Sequence, residues 1–116
     1  MPGNASNTRT RSAAPRSAHR VIEEVRDLAA AIRSRRRVSA IILYGSFARG
    51  DFHEGSDIDL IVVGDFRERF HKRAATILGL ADLPVEPLCY TEEEFAELVR
   101  DENPFILRAL AEGIRV

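Results

Sequence analysis

The stretch that most constrains this chain runs from Gly45 to Leu60: Gly-Ser-Phe-Ala-Arg-Gly-Asp-Phe-His-Glu-Gly-Ser-Asp-Ile-Asp-Leu. An apolar run, Ala40 to Tyr44, leads into Gly45-Ser46, and a second, Ile58 to Val63, carries Asp57 and Asp59 at its start. Both runs are short, branched and bounded by Gly, which predicts two strands. Alternation along a strand then sends Asp57 and Asp59 to one face and Ile58 and Leu60 into the core. Two carboxylates about 5 Å apart at an effective dielectric of about 20 repel by about 3 kcal/mol. A fold keeps such a pair where a cation sits between them or water reaches both. Mg²⁺ prefers carboxylate oxygen and is commonly held by one or two carboxylates together with substrate phosphates. The strand-to-turn Gly45-Ser46 supplies the complementary half, since Gly admits close backbone approach and N–H groups at a helix start attract anions. The pattern therefore points to a site for a nucleotide and a metal.

This combination resembles the nucleotidyltransferase superfamily that includes DNA polymerase β, and more closely its minimal nucleotidyltransferase proteins of bacteria and archaea. Their signature is Gly-Ser, ten residues, then Asp-x-Asp; here Ser46 is followed by ten residues and Asp57-Ile58-Asp59. Ala48-Arg49-Gly50 and Ser56 complete the fuller form. The resemblance covers about Ala40 to the C-terminus. It implies an α/β domain, a small mixed β-sheet flanked by helices in the polymerase β-like arrangement.

By that resemblance, a hydroxyl attacks the α-phosphorus of a nucleoside triphosphate and pyrophosphate leaves, with two Mg²⁺ ions (or Mn²⁺ in their place) clamping the oxygens. Asp57 and Asp59 are then the metal ligands. Gly45, Ser46, Arg49 and Ser56 form the nucleotide-binding set. Arg49 has a second reading, as a partner of Asp51 or Glu54 that holds the loop. The family places a third acid, usually Asp, on the third strand; this chain offers Glu86. Glu86 reads as metal ligand and activator of the nucleophile, or as a solvated glutamate on an edge strand. One extra methylene matters because catalytic geometry responds to displacements of about 1 Å.

At 116 residues the chain is expected to form one domain over residues 18–116. There is no length for the helical domain with which larger relatives grip an acceptor, so a second copy or another protein is expected to present it. Such minimal proteins are often paired with a HEPN ribonuclease as toxin and antitoxin. The resemblance therefore implies transfer of AMP from ATP to a HEPN partner; the alternative is a non-catalytic, nucleotide-binding antitoxin subunit acting by complex formation. A small-molecule acceptor is a third choice. Neither a dinucleotide fingerprint nor a P-loop lysine accompanies the Gly-Ser turn.

Hydrophobic residues at 45% and charged residues at 30% fit a globular protein, and a net charge of −1 argues against a globally cationic nucleic-acid binder. The single cysteine, Cys89, reads as a buried small hydrophobe and suits a reducing cytoplasm. No apolar run is long enough for a membrane span, and no apolar signal core opens the chain.

In chain order, residues 1–17 read as a disordered basic arm, a solvated tail or a nucleic-acid contact. Apolar spacing predicts a helix from Ala18 to about Arg33. The Arg33, Arg35, Arg36 and Arg37 cluster complements its C-terminus or attracts a phosphate-bearing acceptor. Strands follow over Val38–Tyr44 and Ile58–Val63, with a short helix Ser46–Arg49 and a loop 51–55 between them. A helix capped by Asp65 is expected, with Phe66, Phe70, Ala74, Ile77 and Leu78 as its buried stripe. A third strand, Leu83–Tyr90, is an edge strand or bulged because Pro84 and Pro87 lack ladder donors. Thr91 and Glu94 form a capping box, and Asn103-Pro104 opens a last helix closed by Gly113.

Overall fold

The computed structural model describes residues 18–53 and 55–116; the expected arm lies outside them. Helix α1 (Ala18–Arg35) precedes β1 (Val38–Tyr44), the short α2 (Ser46–Arg49) and β2 (Ile58–Gly64). Then come α3 (Phe70–Leu78), β3 (Val85–Tyr90), α4 (Glu92–Arg100), α5 (Pro104–Glu112) and the two-residue β4 (Ile114–Arg115). The sheet runs β3-β2-β1-β4, with β2 antiparallel to β1 and parallel to β3, so the expected mixed α/β architecture is present. No helix among the described residues is long and apolar enough to cross a membrane.

Helices cover both sheet faces. On one, Val21, Val25 and Ile32 of α1 pack with Ile41, Leu43, Leu60 and Val62. On the other, Ile106 and Ala109 of α5 pack with Ile42, Ile61 and Val63, and Phe95 and Leu98 of α4 flank them. Strand β2 is thus buried on both faces, which is why Leu60 to Val63 is a continuous apolar run. Asp59 shares the α5 face with Ile61 and Val63 and interrupts that run at one end. Cys89 is buried, and burial pushes its thiol up to about 11.

Both later caps form as expected. Thr91 accepts from the Glu94 N–H while the Glu94 carboxylate accepts from the Thr91 N–H, and Asn103 accepts from the Ile106 N–H. The segment after β2 departs from expectation. Asp65 caps nothing: α3 begins at Phe70, behind an Arg69 cap without a side-chain bond. Phe66 is buried ahead of the helix, while Phe70 and Leu78 are about half exposed. Arg73 takes the buried position instead, at 6% exposure. It donates from Nε to the Glu68 carbonyl at 2.8 Å and from Nη1 to the Cys89 carbonyl at 3.2 Å. Its guanidinium also grips Glu94, at 2.6 Å and 3.3 Å. That pairing holds the Glu94 carboxyl below its ordinary range and raises Arg73 further. Phe66 lies beneath two guanidinium groups, Arg36 at 4.6 Å and Arg73 at 5.8 Å, and Arg36 in turn pairs with Glu68 at 3.0 Å.

The third strand begins at Val85 rather than Leu83, and it is an edge strand as its prolines require. Beyond Gly113 the chain adds β4, absent from the expected elements, which pairs Arg115 with Ile42 and Ile114 with Leu43.

Removing one partner of a buried charge pair leaves the other uncompensated. Arg73→Ala should therefore lower unfolding free energy by about 2–3 kcal/mol, below the fully buried range because Glu94 is partly solvated. Glu94→Gln keeps an amide acceptor for the cap but leaves the buried guanidinium without its counter-charge, and should lose a comparable amount, about 2–3 kcal/mol. Urea unfolding of both variants checks this; losses under about 0.5 kcal/mol in both would mean that the pair contributes no more than an exposed one.

Candidate active site

The site sits where β1 ends and β2 and β3 begin. Tyr44 of β1 is in register with Asp59 of β2, and Asp59 with Glu86 of β3, so the three form a row across the sheet. Asp57 lies two residues before Asp59 on the same face and hydrogen-bonds with Glu86. The structure thus brings together all three acids that the sequence singled out. Asp57 and Glu86 are exposed and Asp59 half-buried.

Like charge shapes this group. Burial, then the neighbouring Asp57 carboxylate, pushes the Asp59 carboxyl above its ordinary range, while Arg49 pulls it down. Glu86 is raised chiefly by its hydrogen bond with Asp57, then by the charges of Asp57 and Asp59. Burial, then Asp59, Tyr90 and Glu86, push Tyr44 up to about 12, so its phenol stays protonated beside the acids.

Gly45 closes the other side. Its φ of 76° and ψ of −151° suit glycine, and a Cβ there would collide with the Asp59 carboxylate. The close approach that demands glycine is therefore made by Asp59 itself. Gly45 and Ser46 carbonyls accept the bonds that wind α2: Arg49 N–H to Gly45 at 3.0 Å, Gly50 N–H to Ser46 at 2.8 Å. Phe52 stacks on Phe47 at 4.5 Å and seats the following loop. Ser56 closes that loop, its hydroxyl accepting the His53 N–H and its own N–H donating to the His53 carbonyl, both at 2.9 Å. Arg49 takes the loop-holding role, Nε to Asp51 at 3.1 Å; Glu54 lies outside the described residues.

A cleft of about 320 Å³ takes in the Gly45-Ser46 turn, Arg49 and Asp59, while Glu86 lines a neighbouring hollow that shares Tyr44 with it. One wall is Tyr44, Gly45, Ser46, Arg49 and Asp59. The other is a face of α5 for which the sequence predicts no functional role: Phe105, Arg108, Ala109 and Glu112. Phe105 meets Tyr44 edge-on with centroids 5.4 Å apart. The Glu112 carboxylate lies between two guanidinium groups, 3.3 Å from Arg108 and 3.9 Å from Arg49. Exposed ion pairs of this kind contribute about 0.2–1 kcal/mol each, so they are readily exchanged. What could have flagged this wall is the i, i+3, i+4, i+7 spacing from Phe105 to Glu112, which gives one helix face carrying an aromatic ring, a cation and an anion.

Among the described residues, no group of three acids, histidines or cysteines is already closed to ligand spacing. The donor set nonetheless suits a hard divalent ion: three carboxylates, all oxygen donors, with Asp59 raised by burial and then by Asp57, and Glu86 by its hydrogen bond with Asp57 and then by the neighbouring charges.

Comparison with known proteins shows what the chain is similar to. Residues 25–113 match a family described as "Nucleotidyltransferase domain". A stretch of 31 residues, 27% of this chain, is 61% identical to a Methanocaldococcus jannaschii protein described as a "Putative protein adenylyltransferase". The match spans 31% of that relative's length. A crystal structure of a Sulfolobus solfataricus "putative nucleotidyltransferase" aligns over 70% of this chain and 72% of its own, at 23% identity and a TM-score of 0.48.

Raised carboxyls in the folded state set a sign for pH dependence. Their folded pKa exceeds the unfolded one, so the folded chain binds more protons between the two values. Stability then falls as pH rises through that window, and the loss persists above it. Asp57→Asn removes much of the repulsion and should raise the Tm at pH 7 by on the order of 2–4 °C. Below the ordinary carboxylate range the gain should vanish; melting curves at several pH values check this.

Proposed function

The chain belongs to the nucleotidyltransferase domain family, and from that premise we propose that it transfers a nucleoside monophosphate, AMP from ATP, to a hydroxyl on a partner protein. The observation that carries this reading is the row of Asp59 and Glu86, joined by Asp57, with the Asp59 carboxylate set directly against the Gly45-Ser46 turn. The acceptor oxygen forms a bond to the α-phosphorus, the bond from that phosphorus to the bridging oxygen breaks, and pyrophosphate leaves. Asp57, Asp59 and Glu86 would hold Mg²⁺. When bound, the divalent ions supply charge neutralisation for the attacking and leaving oxygens.

The chain's own groups do the rest. Gly45 and Ser46 present backbone and hydroxyl to the phosphates, and Arg49 offsets their charge. Glu86, which hydrogen-bonds with Asp57 beside Asp59, is the carboxylate placed to accept the acceptor's proton. Tyr44 stays neutral and adds no negative charge near the α-phosphate. The description of the archaeal relative as a protein adenylyltransferase supports AMP as the transferred group and protein as the acceptor. A HEPN ribonuclease neutralised by that modification is the partner the motif resemblance favours, with this chain as the antitoxin.

Incubation with ATP labelled at the α-phosphate, Mg²⁺ and a HEPN ribonuclease as the candidate acceptor should label that protein. Asp57→Asn with Asp59→Asn should cut labelling at least a thousandfold, and chelation of the divalent ion should do the same. Labelling that survives the double variant rules out this site. Neutralisation that survives it at stoichiometric amounts favours the non-catalytic binding role instead.

A further inference from the structure

The cleft contains a carboxylate where a phosphate would fit. Glu112 stands between the guanidinium groups of Arg108 and Arg49, on the opposite wall from Asp59 and next to the Gly45-Ser46 turn. Arg108 approaches it through Nε at 3.3 Å and 3.4 Å, to its two oxygens, and Arg49 through Nη1 at 3.9 Å. A carboxylate between two guanidinium groups has the charge and donor demand of a phosphoryl oxygen pair, for which the planar Arg fork is suited.

We propose that Arg108 and Arg49 form a clamp for the β- and γ-phosphates of the nucleotide, and that Glu112 occupies it until the triphosphate displaces it. The clamp presupposes that a nucleoside triphosphate is the substrate. Four features support it. Arg108 projects from the same α5 face as Phe105, whose contact with Tyr44 fixes that part of the helix against the end of β1. Its side chain is 68% exposed and has no packing role to lose by moving. Its pairing with Glu112 is a solvent-exposed i,i+4 contact, and the Arg49 contact is at the limit of ion-pair distance, so a polyanion competes against weak bonds. Arg49 keeps Asp51 as a second partner, which holds it near the turn when Glu112 leaves. Arg108 is thus a substrate-positioning residue and Glu112 an internal competitor that lowers affinity for the nucleotide.

The test is calorimetric titration of the full chain with ATP, ADP and AMP in the presence of Mg²⁺, for wild type, Arg108→Gln, Arg108→Lys and Glu112→Gln. Arg108→Gln should weaken ATP about tenfold, equivalent to about 1.4 kcal/mol. It should weaken ADP less and AMP by under about twofold, because the clamp acts only on the outer phosphates. Arg108→Lys should restore part of the ATP affinity, and Glu112→Gln should tighten ATP about three- to fivefold. Wild type binding ATP with Arg108→Gln unchanged, or with ATP and AMP weakened alike, overturns the clamp and leaves the nucleotidyltransferase reading intact. Wild type that binds no Mg·ATP overturns both. Should Arg108→Gln lower the Tm, Glu112→Gln decides: a tighter ATP complex upholds the clamp, and an unchanged or weaker one refutes it.

Discussion

Mutual repulsion among Asp57, Asp59 and Glu86 is the constraint around which the fold is arranged. Three carboxylates gathered at one end of a sheet work against folding; burial together with that repulsion raises Asp59, and a hydrogen bond with Asp57 together with the same repulsion raises Glu86. What keeps them there is the apolar body of β2, buried on both faces immediately beyond Asp59. A strand so embedded cannot slide by one residue without moving Ile61 and Val63 out of one core and Leu60 and Val62 out of the other. The register that protects the core therefore also imposes the electrostatic strain, and Gly45 gives the Asp59 carboxylate the room it needs.

A second set of charges sits on the opposite flank and does the reverse. Arg36, Glu68, Arg73 and Glu94 are paired, and Phe66 lies under the two guanidinium groups. Arg73 alone ties α3 to the Glu68 carbonyl, to β3 through Cys89 and to α4 through Glu94. This network anchors the far part of the strand that begins next to Glu86. Satisfied charges thus fix the scaffold, and unsatisfied ones mark the cleft.

Much of this was legible in the sequence because the signals were local. Gly45-Ser46, the Asp-x-Asp pair and the two apolar runs define a strand, turn and strand within one hairpin. Thr91-Glu94 and Asn103-Pro104 announce their caps through contacts a few residues apart. The misreadings have long-range causes. Phe66 and Phe70 share helical spacing, yet Phe66 is captured by Arg36, far back in the chain, before the helix can begin. Arg73 looks like an exposed basic residue until Glu94 and the Cys89 carbonyl arrive from later elements. The α5 wall of the cleft was invisible for the same reason, since nothing near Arg108 or Glu112 in sequence shows that their helix lies across from Gly45. The strand β4 is too short to carry any alternation of its own.

The parallel pairing of β2 with β3 has an outcome for how the chain assembles. Asp57 and Asp59 meet the glycine turn by closing one hairpin, but Glu86 joins only after the intervening α3 crossover has docked. Non-local pairing of this kind forms late, because closure entropy is spent before its contacts reward it. An ion coordinated by all three side chains would therefore fasten a nearly finished topology and slow its opening, with little influence on the early nucleus.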